Sequence, residues 1–182
     1  MKRKKKVVVA MSGGVDSSVV AGILKEDGYE VIGITLQLYN SKQEIKTKTC
    51  CSGADIYDAK SVARKLDIPH YVLNYQSRFK EVVIDNFIHS YQSGVTPIPC
   101  VQCNQHIKFK DLLSTAKNLG ANYLATGHYI RKSNYNNDIG LYKAKDVSKD
   151  QSYFLFQVKK QDLDFLMFPL GELLKSDTRS LA

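Results

Sequence analysis

The fold is decided by the stretch Val7-Val8-Val9-Ala10-Met11-Ser12-Gly13-Gly14-Val15-Asp16-Ser17-Ser18. Its first half is a continuous apolar run without alternation, which is typical of a strand buried on both faces of a parallel sheet. Two adjacent glycines interrupt the run, and an amphipathic pattern suited to a helix follows them. The stretch therefore predicts a strand, a tight turn and a helix.

The turn has the chemistry of an anion site. Gly13 and Gly14 carry no Cβ, so the backbone can adopt positive φ and approach a ligand closely. The first N–H groups of the following helix have no partner within the helix, and with the helix dipole they favour phosphate. Further hydroxyl donors come from Ser12, Ser17 and Ser18. Asp16 fits if Mg²⁺ bridges its carboxylate to the phosphates. The simpler alternative is a glycine-rich turn that only starts a helix.

Other nucleotide-binding motifs do not match this turn. A Walker A loop needs a lysine after its last glycine, where this chain has Val15. The dinucleotide fingerprint G-x-G-x-x-G is also missing. The remaining pattern, S-G-G-V-D-S at residues 12–17, resembles the PP-loop of ATP pyrophosphatases, which split ATP between its α and β phosphates. This resemblance implies that ATP and Mg²⁺ bind at the turn, with Asp16 as the protein group nearest the metal and no metal site built from protein ligands alone.

Composition and charge limit the class of protein. The 182 residues are 43% hydrophobic, which is enough for one domain with its own core. No apolar run can span a bilayer, and the run after the basic residues is too short for a signal peptide, so we expect a cytoplasmic, monomeric protein. The net charge is +8, of which residues 2–6 supply five, leaving +3 for the rest. A basic tail is usually solvated, although this charge also fits a nucleic-acid partner.

Strand and helix patterns alternate along the chain. Strands are predicted at residues 29–37 and 70–73, and helices at residues 52–66 and 79–91. In the second helix, the residues expected to face inward are Val82, Val83, Phe87 and Ile88. The alternation predicts an α/β fold with a doubly wound, mostly parallel sheet and helices on both faces. A hairpin is expected near residues 129–145, and residues 40–49 are expected to form a polar loop.

These patterns also divide the chain. We expect a basic tail at residues 1–6, a nucleotide-binding catalytic domain at residues 7–160, and the start of a linker at residues 161–182. In such a sheet, ligands bind beyond the carboxyl ends of the strands. The glycine turn lies at that edge.

A second informative stretch runs from Gly94 to Phe109. Its two prolines, Pro97 and Pro99, keep the chain extended, and Asn104 or a neighbour is then expected to cap a helix that continues to residue 118. This places Cys103 at a helix N-terminus, with lysines one to two turns further on. Both the dipole and the positive charges favour the thiolate, so Cys103 is a candidate nucleophile.

Five motifs in register resemble the tRNA-specific 2-thiouridylase family over essentially the whole chain. They are S-G-G-V-D-S-S at 12–18, the segment from Cys50-Cys51 to Ile68-Pro69-His70, T-P-x-P-x-x-x-C-N at 96–104, A-T-G-H-Y at 125–129, and K-D-Q-S-Y-F-L at 149–155. The resemblance implies a PP-loop fold of the adenine nucleotide α-hydrolase type. It also implies an ATP-dependent sulfurtransferase that adenylates the C2 oxygen of the wobble uridine in the tRNA anticodon loop. A persulfide from a donor protein then supplies the sulfur, and AMP and pyrophosphate are released.

The resemblance assigns roles to single residues. ATP would be bound by Ala10, Met11, Ser12, Gly13, Gly14, Val15, Asp16, Ser17, Leu36 and Gly127. The target base and tRNA would be contacted by Thr96, Pro97, Ile98, Pro99 and Cys100, and by Lys149, Asp150 and Gln151. Cys103 would be the catalytic cysteine, and Asp16 would assist catalysis through the metal.

The chain departs from the family pattern in two places. Cys100 stands where many relatives have an aspartate, so help from a general base at that position is in doubt. The family also has a second cysteine in a later segment, which carries the persulfide and is the basis for expecting a disulfide bond. The sequence reaches Ala182 before that segment, so we expect it to bind ATP without completing thiolation by the family route.

Other functions stay open. Cys100 and Cys103 form C-x-x-C, and with Cys50 or Cys51 they could hold zinc or the iron–sulfur cluster found in some PP-loop tRNA thiolases. The chain could also be a binding fragment for ATP and tRNA without turnover, or an amide-forming ligase, which would not need Cys103. His128 is as consistent with a structural role as with a catalytic one.

Overall fold

The computed structural model describes residues 4–39, 53–135 and 138–182. Within these residues a five-stranded sheet has the order β3-β2-β1-β4-β7, and every neighbouring pair is parallel. Its strands are β1 (Lys6–Ala10), β2 (Glu30–Gln37), β3 (His70–Asn74), β4 (Tyr123–Thr126) and β7 (Leu166–Met167). The predicted doubly wound α/β fold is confirmed.

The helices are α1 (Val15–Glu26), α2 (Gly53–Lys65), α3 (Gln76–Phe79), α4 (Asp85–Gln92), α5 (Pro99–Gln102), α6 (Leu113–Asn118) and α7 (Lys175–Ser180). A π-helical segment at Lys80–Ile84 joins α3 to α4, and another at Cys103–Leu112 joins α5 to α6. Short 3₁₀ segments follow at Val147–Lys149, Ser152–Leu155, Lys160–Phe165 and Pro169–Glu172. The strands β5 (Ile130–Tyr135) and β6 (Asp138–Lys143) pair antiparallel, which confirms the predicted hairpin.

Successive side chains of β1 belong to different faces of the sheet, and each face is covered by helices. Val8 packs with the second π-helical segment and α6, whereas Val7 and Val9 pack with α1. All three valines are fully buried, and burying a valine side chain contributes roughly 1.5–3 kcal/mol. The apolar run therefore forms the centre of the domain, and the turn that follows it is held by a rigid strand.

The structure is helical over the predicted residues 79–91, but two of the four side chains predicted to face inward are exposed. Val83 is buried, whereas Phe87 and Ile88 are 40% and 47% exposed. The physical reason is that the buried side of the helical run ends with Val83, because α4 has no buried residue along its length. Helical spacing of apolar residues identified the helix but not where its packing partners end.

The start of the cysteine helix also differs from the prediction. The helix begins at Pro99, with Ile98 as its N-cap residue, because proline suits the first position of a helix. Asn104 is buried inside the helical run and caps nothing. Cys100 therefore occupies the first turn, and Cys103 lies one turn further along.

Residues 161–182 pack as part of the domain. β7 adds the fifth strand beside β4, and Leu163, Leu166 and Leu170 are buried. The short helix α7 contacts α1. Residues 161–182 and the described residues before 160 therefore share one hydrophobic core.

The loop predicted at residues 40–49 and the pair Cys50 and Cys51 lie outside the described residues. None of the helices described here has both the length and the apolar character that a membrane crossing requires.

Candidate functional site

The glycine turn leaves β1 and is covered by the start of α2. The Met11 N–H donates to the Ile34 carbonyl at 2.8 Å, so the turn begins as an extension of the sheet. Gly13 then adopts φ +81°, and a Cβ built on it would lie 2.2 Å from the Asp55 carbonyl oxygen. Only glycine fits here, because the backbone is left-handed and another backbone lies against it.

Serine hydroxyls hold the turn closed. The Ser12 N–H donates to Ser17 Oγ at 3.1 Å, and Ser17 Oγ in turn donates to the Gly14 carbonyl at 3.1 Å. Ser18 Oγ donates to the same carbonyl at 3.0 Å. Gly14 is the N-cap residue of α1 and has no side chain to occupy the first N–H groups, which leaves them available to an anion.

The structure brings the remaining predicted ATP-binding residues to this edge. Gly127 follows β4, and a Cβ on it would lie 3.0 Å from the Ser17 nitrogen and 3.1 Å from the Asp16 carbonyl carbon. Leu36 is buried in β2, two residues beyond the Ala10–Ile34 pair that ends the β1 ladder. Gly127 therefore meets the start of α1 although more than 100 positions separate them, and Leu36 lies near the same edge of the sheet.

Asp16 has two partners that the sequence did not reveal. Its Oδ1 accepts a hydrogen bond from the Tyr129 hydroxyl at 3.0 Å, and it forms a salt bridge with the Lys175 ammonium. The Tyr129 hydroxyl also lies 2.9 Å from Thr178 Oγ1. Burial and the hydrogen bond to the Asp16 carboxylate raise the pKa of Tyr129 to about 12, so it remains a donor at neutral pH.

Lys175 completes a charged cluster at the turn. Its side chain is only 18% exposed, its ammonium lies 5.5 Å from the Tyr129 ring centre, and its backbone N–H donates to Asp146 at 3.0 Å. No group of three or more histidine, cysteine or acidic side chains is arranged for a metal among the described residues. A divalent ion at Asp16 would therefore take its other ligands from phosphate and water. Lys175 could provide a second positive charge for the same phosphates.

Nothing local in the sequence marks Lys175, because 159 positions separate it from Asp16. Tyr129 did carry a signal, since it ends the A-T-G-H-Y motif that follows β4.

The cysteine helix presents its two thiols differently. Cys100 is exposed in the first turn, whereas Cys103 is half-buried and packs against the core of one sheet face. Neither forms a disulfide within the described part of the chain. Cys103 can meet a substrate only from its exposed side, which restricts the direction of approach.

A continuous set of hydrogen bonds joins the glycine turn to the cysteine helix. Tyr129, which binds Asp16, exchanges two bonds with Gln151: its N–H donates to Gln151 Oε1 at 3.0 Å, and its carbonyl accepts from the Gln151 N–H at 2.9 Å. The Gln151 carbonyl accepts from the Phe154 N–H at 3.0 Å. Asn104 Nδ2 then donates to the Phe154 carbonyl at 3.2 Å, next to Cys103 in the chain. The candidate nucleophile and the candidate phosphate site therefore belong to one connected framework.

The predicted tRNA-contacting residues are not equally available. Thr96 and Lys149 are exposed. The Gln151 side-chain oxygen is engaged by Tyr129, and the Asp150 carboxylate accepts bonds from Ala144 and Ser152. Burial opposes ionisation of Asp150, yet these hydrogen bonds prevail and lower its pKa. The side chains of Asp150 and Gln151 therefore stabilise the segment of residues 149–151 through internal hydrogen bonds, and the ammonium group of Lys149 is the exposed charge of that segment.

His128 lies between the glycine turn and the cysteine helix. Burial, with a smaller effect of the Lys108 charge, lowers its pKa well below the ordinary value of 6.5. Its Nδ1 lies 2.9 Å from Thr126 Oγ1, and its ring centre lies 6.0 Å from that of Phe109. A neutral, packed imidazole at this place favours a structural role.

The chain is similar to curated proteins of one kind. It is 63% identical over 179 residues to the tRNA-specific 2-thiouridylase MnmA of Orientia tsutsugamushi, covering 98% of this chain and 48% of that protein. It is 62% identical over 181 residues to the protein of the same name from Rickettsia bellii, covering 99% of this chain and 49% of that one. The chain thus spans about half the length of these relatives. The resemblance stated from the motifs is confirmed.

A solved structure shows the same fold at low identity. The U34-tRNA thiolase NcsA from Methanococcus maripaludis, solved with its [4Fe-4S] cluster, has a TM-score of 0.58 and 18% identity to this chain. It covers 100% of this chain and 57% of that one, and it bears on the fold alone. A family model described as tRNA methyl transferase HUP domain matches residues 5–182. Because that match covers nearly the whole sequence, the chain belongs to the tRNA methyl transferase HUP domain family.

Proposed function

We propose that this chain is the ATP-dependent catalytic domain of a tRNA-uridine 2-sulfurtransferase, which converts the wobble uridine of tRNA to 2-thiouridine. The observation that carries the proposal is the set of hydrogen bonds from Asp16 through Tyr129, Gln151 and Phe154 to Asn104, because Asn104 is the neighbour in the chain of the candidate nucleophile Cys103. The 61–63% identity to 2-thiouridylases supports the same reaction.

The first step would occur at the glycine turn. The uridine O2 attacks the α-phosphorus of ATP, an adenylated uridine forms, and pyrophosphate leaves. The uncapped N–H groups of α1 and the Lys175 ammonium stabilise the negative charge on the leaving group. Mg²⁺, held by Asp16 and the phosphates, would supply further positive charge there.

The second step would use the cysteine helix. The terminal sulfur of a protein persulfide attacks C2 of the adenylated base, and AMP leaves. Cys103, as thiolate, then attacks the inner sulfur. A disulfide forms between Cys103 and the donor cysteine, and the outer sulfur stays on the base with the electron pair of the broken S–S bond. The base has to leave its stack to reach this site, which an anticodon loop permits more easily than a duplex.

The finer parts of the proposal follow from the same chemistry. Thr96, Pro97, Ile98, Pro99 and Cys100 would contact the base, and Lys149 would contact the tRNA backbone. The persulfide would come from a donor protein. The chain would act as a cytoplasmic monomer.

Pyrophosphate release separates this enzyme from a protein that only binds. With ATP, Mg²⁺ and tRNA present, we expect release of pyrophosphate that depends on the tRNA. We expect Asp16→Asn to slow this release by about 100-fold or more, which is the usual effect of removing one group that stabilises a transition state. Glu26→Gln, an exposed acid at the end of α1, is the matched control and should be neutral. Binding of ATP and tRNA without any pyrophosphate would refute the enzyme and leave the binding fragment.

A further inference from the structure

Three large aromatic side chains stand exposed beside the cysteine helix. Tyr153, Phe154 and Phe156 are 63%, 36% and 61% exposed, and we call them the aromatic cluster. The Tyr153 ring centre lies 5.8 Å from that of Phe154 and 6.1 Å from that of Phe156. Single exposed apolar residues are common, but three adjacent rings form a patch that favours an interaction site.

The backbone under the cluster is firmly anchored. Leu155, between the exposed rings, is 1% exposed and packs in the core. The Phe154 carbonyl accepts from Asn104, the Phe154 N–H donates to Gln151, and the Val158 N–H donates to the Leu155 carbonyl at 3.0 Å. The rings are therefore exposed on a rigid support, not on a loose loop. A rigid support lowers the entropy that a ligand loses on binding.

The cluster lies where the proposed substrate has to arrive. Asn104, which holds Phe154, follows the candidate nucleophile Cys103 in the chain. Gln151, which holds the other side of Phe154, reaches Asp16 through Tyr129. A base that enters toward Cys103 would carry its neighbouring nucleotides over this part of the surface.

Lysines flank the cluster in the sequence. Residues 143–160 contain five lysines and two acidic residues, Asp146 and Asp150, and one of the lysines, Lys160, forms a salt bridge with Asp138. Both aspartates are engaged internally, Asp146 by Ser148 and Lys175, and Asp150 by Ala144 and Ser152. Lys149 and Lys159 are exposed on either side of the aromatic cluster in the sequence. The combination of flat rings and lysines matches single-stranded nucleic acid, whose bases stack and whose phosphates are anionic.

We propose that the aromatic cluster is a stacking platform for the unpaired bases next to the target uridine. This inference rests on the proposed function and specifies how the anticodon loop is held once the target base has left its stack. Every base has a π-face, so such a platform accepts different neighbours of the uridine. An apolar protein partner is the competing occupant, but the lysines favour RNA because lysine is depleted in protein interfaces relative to the rest of the surface.

The test compares RNA binding by single variants of the full 182-residue chain. The probe is an anticodon stem-loop RNA with 2-aminopurine beside the wobble uridine. We expect the 2-aminopurine fluorescence to be quenched on binding, and we expect Tyr153→Ala and Phe156→Ala each to raise Kd by about fivefold or more and to reduce the quenching. Tyr57→Ala is the matched control, because Tyr57 is 73% exposed on α2, and it should bind like the parent chain.

Two further measurements separate stacking from other effects. The unfolding midpoint should be unchanged in all three variants, because the rings are exposed. The slope of log Kd against log salt should also stay unchanged in the aromatic variants, whereas Lys149→Ala should reduce it by about one.

Each outcome has a defined meaning. Unchanged Kd and quenching in both aromatic variants, with RNA still bound by the parent chain, would overturn the platform and leave the proposed function intact. A change in oligomeric state without a change in Kd would overturn it in favour of a protein contact. If the parent chain binds no tRNA and no stem-loop, the proposed function fails, and the platform fails with it.

Discussion

The two adjacent glycines of the turn are predicted to lose very different amounts of stability on the same substitution to alanine. In Gly13→Ala the new methyl group would lie 2.2 Å from the Asp55 carbonyl oxygen, at φ +81°. The left-handed conformation costs about 1–2 kcal/mol, and pushing α2 away from the turn costs about 1–3 kcal/mol more. We therefore expect the free energy of unfolding to fall by roughly 2–5 kcal/mol, a large part of the usual total of about 5–15 kcal/mol.

Two alanine variants in the same region are matched controls. Gly14 has φ −79°, and its added Cβ would meet only the Ser12 hydroxyl, at 3.6 Å, so Gly14→Ala should cost well under half as much. Gly22 lies inside α1 with nothing within 4 Å of its added Cβ. Gly22→Ala should raise stability by about 0.5–1 kcal/mol, because alanine is the better helix former.

Urea denaturation followed by circular dichroism measures all three variants, with the slope on denaturant as a check of two-state behaviour. ATP binding at a temperature where Gly13→Ala is folded should still be weakened, since the turn itself is displaced. An unfolding free energy of Gly13→Ala within about 0.5 kcal/mol of the parent chain would refute the packing of α2 on the turn.

Two more predictions test the interior of the site. Lys175→Met keeps the aliphatic stem but removes the positive charge that faces Asp16. We expect a loss of about 1–2 kcal/mol in the free energy of unfolding, which is less than a fully buried charge-assisted bond would give because Asp16 is 34% exposed, and we expect weaker ATP binding by isothermal titration. Unchanged values for both would contradict the salt bridge. The pKa of His128 is lower in the folded protein than in the unfolded chain, so as the pH falls the unfolded chain binds a proton at this histidine before the folded protein does. The contribution of His128 to stability should therefore be complete above about pH 6.5 and should be lost as the pH drops to 5. The pKa of His70 is lowered as well, so His128→Asn should remove only part of this loss, about 1–2 kcal/mol, in urea denaturations at pH 7 and 5. An equally steep decline in the variant would contradict a neutral, packed imidazole at His128.

The elements that depend on short-range patterns were predicted correctly. The apolar run, the glycines and the alternation of strands and helices were sufficient for the parallel sheet, because those patterns reflect local backbone preferences and burial on both faces. The approach of Gly127 to the glycine turn agrees with the rule that the carboxyl ends of parallel strands share one edge.

Predictions that needed long-range packing failed or were missing. Phe87 and Ile88 have the spacing of an inward face, yet both are exposed, and α4 has no buried residue along its length. Asn104 has the chemistry of a cap, yet its amide is used by Phe154, 50 residues away. The internal hydrogen bonds of Asp150 and Gln151 have no signal in the sequence and are seen only in the structure, and their contact with tRNA stays a prediction.

The sequence by itself determined the strand, the turn and the candidate phosphate site, because glycine conformations and helix N–H groups are local properties. Only the tertiary structure decided which charge faces Asp16 and which backbone excludes a side chain at Gly13. Lys175 and Asp55 reach the turn from segments far along the chain, and such contacts depend on how α7 and α2 dock, which no neighbouring residue encodes. Further long-range contacts, through Tyr129 and Gln151, join the glycine turn to the cysteine helix, so the site as a unit exists only in the folded protein.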